Sequence, residues 1–292
     1  MIVDKTFIAI FQKGSRTYFY SSLFFPMHIR RDVFILYGFV RKADNFVDAV
    51  PQNPQGFYEF KEKYKQAVAG QQTGDIVIDS FVDLAHKHNF NFEWVDSFLH
   101  SMEMDLTKKT YETMEETIDY MYGSAEVIGL LMARILHLNK DALPYAQYLG
   151  RAMQYINFIR DIDEDNALGR IYFPRSELQK YGLENLNYDH VLNHQQGFYD
   201  FIHAQIQKYC EWQEFAEQGY SCIPKRYLIS VKTASEMYKW TAQKILRNPF
   251  IVYDWKVKPR IIRIVTATLV NLINIMSDKY ETTPCPVKQH HH

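Results

Sequence analysis

Cysteine is scarce in this chain of 292 residues: Cys210, Cys222 and Cys285 are the only three, and no C-x-x-C spacing occurs. An odd, scattered set argues against a disulfide framework or a zinc site and for a reducing, cytoplasmic setting. Net charge is also nearly absent, at -1, so no overall field draws nucleic acid. No block of five or six like charges marks an interaction tail. No run of about 18 apolar residues is present, so no membrane-spanning helix is expected. The N-terminus lacks a charged segment leading into an apolar stretch and a small-residue cleavage site, and no secretory leader is expected. His290 to His292 are read as a tag remnant.

Proline is missing from two long stretches, between Pro54 and Pro144 and between Pro174 and Pro224. Within and beyond them apolar residues recur at three- and four-residue spacing, as in Ile118, Met121, Tyr122, Ala125, Ile128, Gly129, Met132 and in Val265, Leu269, Leu272, Ile273, Met276. That period is helical. Alternating strand patterns are scarce, Ile76-Val77-Ile78 being the best and too short to stand alone. The expectation is an all-α chain of nine to eleven helices forming one domain over 1–283, with 284–292 as a tail and fraying after Tyr280. Aromatics are abundant, with 21 Tyr and 20 Phe. Core packing accounts for such an excess, and so does a large cavity for an apolar ligand.

Two polar stripes interrupt the apolar pattern. The helix expected after Pro26 carries Tyr37, Arg41, Asp44 and Asp48, at offsets of 0, 4, 7 and 11. The helix expected after Pro144 carries Gln154, Asn157, Asp161 and Asp165, at 0, 3, 7 and 11. Each set falls on one helical face, and each is surrounded by apolar neighbours, such as Phe39 and Val40 or Ile156 and Phe158. An Asp-x-x-x-Asp pair alone is compatible with a solvated acidic edge. Two such pairs facing each other away from water would repel strongly unless cations lay between them. Magnesium takes oxygen ligands and shares itself between carboxylates and phosphates, so the stripes point to a magnesium–diphosphate clamp, with Mn2+ as a possible substitute. Departure of an allylic diphosphate leaves a carbocation, which aromatic faces stabilise.

A diphosphate also needs donors. Arg41, Arg160 and Arg170 lie close to the aspartates, and Ser15, Arg16 and Thr17 form a polar cluster before an aromatic run. Ordinary salt bridges to the neighbouring acids are the plainer reading for Arg41 and Arg160. Tyr120, Tyr122 and Tyr238 sit in apolar runs and suit a core. Gly123, Ala125 and Gly129, with Gly38 and Gly150, allow either close helix packing or room for a ligand, and packing is the safer choice.

These residues resemble the squalene/phytoene synthase family, most closely its bacterial and archaeal phytoene synthases. The resemblance rests on Ser15 to Ser22 followed by Pro26, on Tyr37 to Asp48 as a first aspartate motif, and on Tyr120 to Gly129 as a cavity helix. Gln154 to Asp165, continuing to the Gly169-Arg-Ile-Tyr-Phe-Pro174 tail, is similar to the second motif. It implies an all-helical isoprenoid synthase fold and condensation of two allylic prenyl diphosphates through a cyclopropyl intermediate. It implies Asp44, Asp48, Asp161 and Asp165 as magnesium ligands, with Arg170 and Tyr172 assisting. Ser15, Thr17, Tyr37, Arg41, Gln154, Asn157, Arg160 and Tyr238 would hold or orient substrate. Glu126 stands where many members have a small residue, and Lys256, Lys258 and Arg260 match no family position cleanly, so their roles stay open.

Chain-elongating relatives would show adjacent aspartates, whereas Asn45 follows Asp44. Terpene cyclases would show an Asn/Ser/Glu triad in place of Asp161 and Asp165. Ser21 and Ser22 are small where an aromatic would limit chain length. The expectation is therefore two geranylgeranyl diphosphates giving phytoene without NADPH. Farnesyl diphosphate giving dehydrosqualene or squalene is the alternative, as is a non-catalytic assembly protein of the same family. Peripheral membrane contact is plausible for such a product, and oligomeric state is left open.

Overall fold

In the computed structural model of the protein, residues 4–277 are described. The boundary at 283/284, the tail beyond it and Cys285 lie outside them. The chain is almost wholly helical. The first part runs α1 (Lys5–Gly14), α2 (Arg16–Ser22), α3 (Met27–Asp48), α4 (Pro54–Val68), α5 (Ile76–Lys87), α6 (Phe92–Thr107), α7 (Met114–Met121) and α8 (Val127–Ile135). The second runs α9 (Leu143–Arg160), α10 (Ile162–Ala167), α11 (Arg175–Lys180), α12 (Tyr188–Asn193), α13 (Gln195–Glu217), α14 (Lys225–Arg247), α15 (Ile251–Asp254) and α16 (Ile261–Met276). Side-chain caps fix many starts: Ser15 for α2, Asn53 for α4, Asp75 for α5, Asn91 for α6 and Thr113 for α7 each accept a backbone N–H of the first turn.

Several expectations need correcting. There are more helical segments than nine to eleven, because turns divide the long periodic runs. The second stripe is not on one continuous helix: α9 ends at Arg160, Asp161 adopts φ -101° and ψ 15°, and α10 restarts at Ile162. Ile76-Val77-Ile78 opens α5 rather than a strand. Two short parallel strands do occur, β1 (Thr110–Tyr111) and β2 (Ile171–Pro174), the latter within the tail of the second motif. Cys222 is free and half-buried, but Cys210 is disulfide-bonded, so the cysteine count is no guide to compartment. Among the described residues no helix is long and apolar enough to cross a membrane.

Two aromatic-rich cores form. One gathers α1, α3, α4, α5, α6 and α8 around Phe39, stacked on Phe81 at 3.7 Å between ring centroids. The other gathers α7, α9, α13 and α14 around Tyr155, Phe158 and Phe201. The functional cavity lies between them and takes wall residues from both. The small-residue stripe serves packing: a Cβ on Gly129 would meet the Ala146 carbonyl oxygen at 2.1 Å, and one on Gly150 would meet that of Ala125 at 2.4 Å. Helices α8 and α9 therefore touch backbone to backbone. Between α7 and α8 the helix widens into a π-helical turn, Tyr122–Glu126, a feature that concentrates near functional sites. Here it presents Ser124 and Ala125 to the cavity and turns Glu126 away from it.

Glu126 is fully buried behind that wall. It accepts hydrogen bonds from Arg151 Nε at 2.5 Å and Gln147 Nε2 at 2.6 Å, and the Arg151 guanidinium lies over the Tyr148 and Trp212 rings. The residue left unassigned from sequence thus pins α9 to the π turn. Removing one partner of a buried pair costs on the order of 3–5 kcal/mol. Glu126→Ala should therefore shift the urea unfolding midpoint markedly downward, and an unchanged midpoint would refute this role.

Candidate active site

One cavity of about 760 Å³ runs into the molecule between the two cores. Every residue assigned to the site from sequence lines it: Ser15, Thr17, Tyr37, Arg41, Asp44 and Asp48 from the first part, with Gln154, Asn157, Arg160, Asp161, Asp165, Arg170, Tyr172 and Tyr238 from the second. Much of the remaining wall is apolar, including Val33, Leu36, Phe98, Ile128, Met132 and Leu149.

Helix α3 delivers the first pair at its C-terminal end. Asp44 forms an ion pair with Arg41 one turn earlier. Asp48 Oδ1 accepts from Arg170 Nη1 at 2.7 Å. Arg170 is buried immediately before β2; its Nη2 donates to the Val47 carbonyl at 2.5 Å and its Nη1 to Tyr172 Oη at 3.3 Å. The short parallel strand pair thus has a use, since it sets β2 so that Arg170 reaches across to the end of α3.

The break between α9 and α10 delivers the second pair. Arg160 grips Asp161 in a bidentate fork, Nε to Oδ1 at 2.7 Å and Nη2 to Oδ2 at 2.6 Å. Lys256 Nζ lies 3.1 Å from Asp161 Oδ1 and also pairs with Glu164. Lys258 lines the same mouth, while Arg260 does not. The basic stretch with no sequence assignment is therefore split, two lysines facing the cavity and one arginine leaving it.

Repulsion reaches from one pair to the other across the cavity that both line. Burial, then repulsion from Asp48, lifts the Asp44 carboxyl to about 7 against the pull of Arg41. Burial, then Asp161, pushes Asp165 well above the usual carboxylate range, with Asp48 and Asp105 adding to the shift. Asp161 differs: burial pushes it up, but Arg160 and Lys256 outweigh that and hold it below its ordinary value.

Asp105 is a site residue that sequence reasoning missed. It is buried on α6, accepts from Tyr120 Oη at 2.7 Å and Tyr172 Oη at 2.8 Å, and has Arg170 Nε 4.0 Å away. Burial raises its carboxyl to about 6, opposed by Arg170 and the two hydroxyls. A signal existed, because Asp105 continues the buried face of Phe98 and Met102, and an acid on an apolar stripe needs partners. Tyr120 is accordingly more than a core residue. Ser15 has a double position, capping α2 through Tyr18 N while lining the cavity. Tyr37 stacks on Phe11 at 3.8 Å, and the Tyr238 ring lies 5.7 Å from that of Tyr18.

Among the described residues, no three His, Cys, Asp or Glu side chains converge closely enough to cage an ion by themselves. Magnesium needs no such cage, because it binds through one or two carboxylates and completes its shell with water and phosphate. The donor set suits it: all hard oxygens, an excess of mutually repelling carboxylates, and an Asn157 Oδ1 that is buried without a hydrogen-bond partner.

The sequence pattern of the family described as "Squalene/phytoene synthase" matches residues 11–263. A 15-cis-phytoene synthase of Pantoea ananas is 29% identical, over 80% of this chain and 79% of its own. A 4,4'-diapophytoene synthase of Staphylococcus haemolyticus is 26% identical, over 82% and 93%. A crystal structure of a dehydrosqualene synthase shares the fold, with a TM-score of 0.83 at 21% identity over 94% of this chain and 97% of the other. A squalene synthase structure from Alicyclobacillus acidocaldarius gives 0.75 at 24% identity, over 84% and 93%. With the pattern spanning both aspartate pairs and the helices between them, the chain belongs to the squalene/phytoene synthase family.

Proposed function

We propose that the protein joins two geranylgeranyl diphosphates head to head to give phytoene. The observation that carries the reaction class is the pair of facing carboxylate sets on one otherwise largely apolar cavity. In the first half-reaction the C1–O bond of one substrate breaks and diphosphate leaves. C1 then bonds to the C2=C3 unit of the second substrate, and a proton is lost as the cyclopropane closes. In the second, the cyclopropylcarbinyl diphosphate loses its own diphosphate, rearranges to the C1–C1′ linkage and gives up another proton. No hydride donor enters that balance, so NADPH is not required.

Asp44, Asp48, Asp161 and Asp165 would hold Mg2+, or Mn2+ in its place, which when bound neutralises diphosphate charge and eases its departure. Arg170, held by Val47 and Tyr172, fixes Asp48. Asp105 orients the hydroxyls of Tyr120 and Tyr172 at the same end. Arg41 and Arg160 exchange part of their pairing with Asp44 and Asp161 for phosphate oxygens, with Ser15, Thr17, Tyr37, Gln154, Asn157 and Tyr238 orienting the substrate. Ring faces of Tyr18 and Phe158 on the wall suit the developing cation.

Chain length rests on α2. Ser21 and Ser22 line the cavity, and their hydroxyls turn back onto the Tyr18 and Phe19 carbonyls at 3.2 and 2.7 Å, leaving a small apolar profile. That room favours the twenty-carbon substrate over farnesyl diphosphate.

Asp44→Asn or Asp161→Asn should cut diphosphate release by at least about a hundredfold, as read with labelled geranylgeranyl and farnesyl diphosphate and Mg2+, with and without NADPH. Wild-type turnover in either variant would end the clamp reading. Turnover of farnesyl diphosphate alone would overturn the phytoene assignment and keep the reaction class. Ser22→Phe should depress geranylgeranyl turnover at least tenfold more than farnesyl turnover, about the selectivity a pocket filled by one side chain yields; equal losses would separate chain length from α2.

Asp44 and Asp105 hold protons in the folded chain at pH values where the unfolded chain has released them. Without divalent cations, folded-state stability should therefore fall as pH rises from about 4 through 7. Melting temperature in EDTA should follow that decline, Mg2+ should reverse much of it, and Asp44→Asn should flatten it. A pH-independent melting temperature for the wild type would contradict the carboxylate repulsion.

A further inference from the structure

Helix α16 is amphipathic the wrong way round. Its buried face carries Ile264 and Ile275 but also Thr268 and Asn271, each almost fully buried. Asn271 Nδ2 donates to Glu236 Oε2 at 2.7 Å and to Thr233 Oγ1 at 3.3 Å on α14, where buried Lys232 lies 4.0 Å from Glu236 and buried Lys239 pairs with Glu217 of α13. Polar groups thus do much of the anchoring. The outer face carries Ile261, Ile262, Val265, Leu269, Val270 and Ile273, with Ile262 74% and Ile273 66% exposed. Ile262, Val265, Leu269 and Ile273 form a stripe about 17 Å long at the helical rise. Single exposed aliphatics are unremarkable, but a contiguous stripe on one helix marks an interaction surface.

Charge indicates what covers it. From Trp255 to Met276 the chain has four basic residues and no acid. Lys256 and Lys258 are turned to the cavity, whereas Arg260 and Arg263 are exposed beside the stripe, and Arg263 lies over the Trp240 ring. Residues 278–292 suit the role poorly by composition, with Tyr280 and Val287 as their only large apolar side chains. An apolar stripe with arginines at one end and no carboxylate matches the interface of an anionic bilayer, where aliphatics enter the acyl boundary and guanidiniums stay with phosphate. A second copy would need neither the basic residues nor the exclusion of acids.

Position supports the same occupant. Helix α16 packs on α2 and α14, whose inner faces supply Thr17, Ser21, Val231 and Ala234 to the cavity wall. Phe24 and Met27, at the corner after α2, are also exposed, and Phe25 between them packs on Tyr227 of α14. We propose that α16 and this corner dock the protein on the surface of an anionic lipid bilayer, placing the α2–α14 wall of the cavity one helix thickness from the acyl phase. The prenyl reading supplies the reason, a water-insoluble product, but the surface stands without it.

The test is co-sedimentation of the full chain, without substrate, with vesicles of phosphatidylcholine alone and of phosphatidylcholine with phosphatidylglycerol. The wild type should bind the anionic vesicles and weaken with salt. Ile262→Glu/Leu269→Glu/Ile273→Glu should lower vesicle partition by about tenfold or more while keeping the wild-type melting temperature. The Ser triple variant at the same positions repeats the test without added charge. Wild-type protein that stays in the supernatant overturns the proposal, as does binding retained by both variants. A wild-type dimer in sedimentation velocity that the Ser variant abolishes, without vesicle binding, assigns the stripe to a second copy instead. Because no substrate is present, failure of the prenyl reading leaves this outcome unaffected.

Discussion

Like charges in a poorly solvated space repel, and the cavity gathers five carboxylates at one end. Asp44, Asp48, Asp105, Asp161 and Asp165 line it there, and three of them, Asp44, Asp105 and Asp165, are pushed above their ordinary values by burial and by neighbouring carboxylates. Such a set persists only because cations are built around it. Arg160 and Lys256 neutralise Asp161, Arg41 pairs with Asp44, and Arg170 ties Asp48 to β2. The local oddities of the fold follow from this requirement. The short strands place Arg170, the turn at Asp161 frees its carboxylate for the Arg160 fork, and the loop before α16 returns Lys256 to the mouth.

The remainder of the cavity answers a different demand. Its wall is drawn from two separate aromatic cores, so neither core has to be opened to make room. Close backbone contact between α8 and α9, and the π turn beside them, shape that wall with small side chains. A polar end and an apolar body are thus set along the same helices: α3 carries Val33 and Leu36 before Asp44 and Asp48, and α6 carries Phe98 and Met102 before Asp105.

Much of this was legible in the sequence. The helical class followed from proline-free runs with a helical period. The site followed from two polar stripes whose neighbours were apolar, and every residue so named lines one cavity. What stayed hidden depended on contacts between distant segments. Asp105 gave only the faint signal of an acid on a buried face, because its tyrosine partners lie 15 and 67 residues away in sequence. Glu126 was visible but unreadable without Arg151. The break at Asp161 escaped because neither proline nor glycine marks it, and helical hydrogen bonds from Asp161 N and Asp165 N continue on both sides. The reversed polarity of α16 could not be read from periodicity, which finds an apolar stripe without saying which way it faces.

The tie between Asp48 and Arg170 spans 122 residues. A contact of that sequence separation forms late, after the loop between its ends has been closed. A growing chain therefore completes α3, with its first aspartate pair, well before β2 has been synthesised. During that interval Asp48 lacks the guanidinium that positions it, and the early part of the protein cannot assemble a working site alone. The polar end of the cavity is therefore complete only once the two parts of the chain have come together.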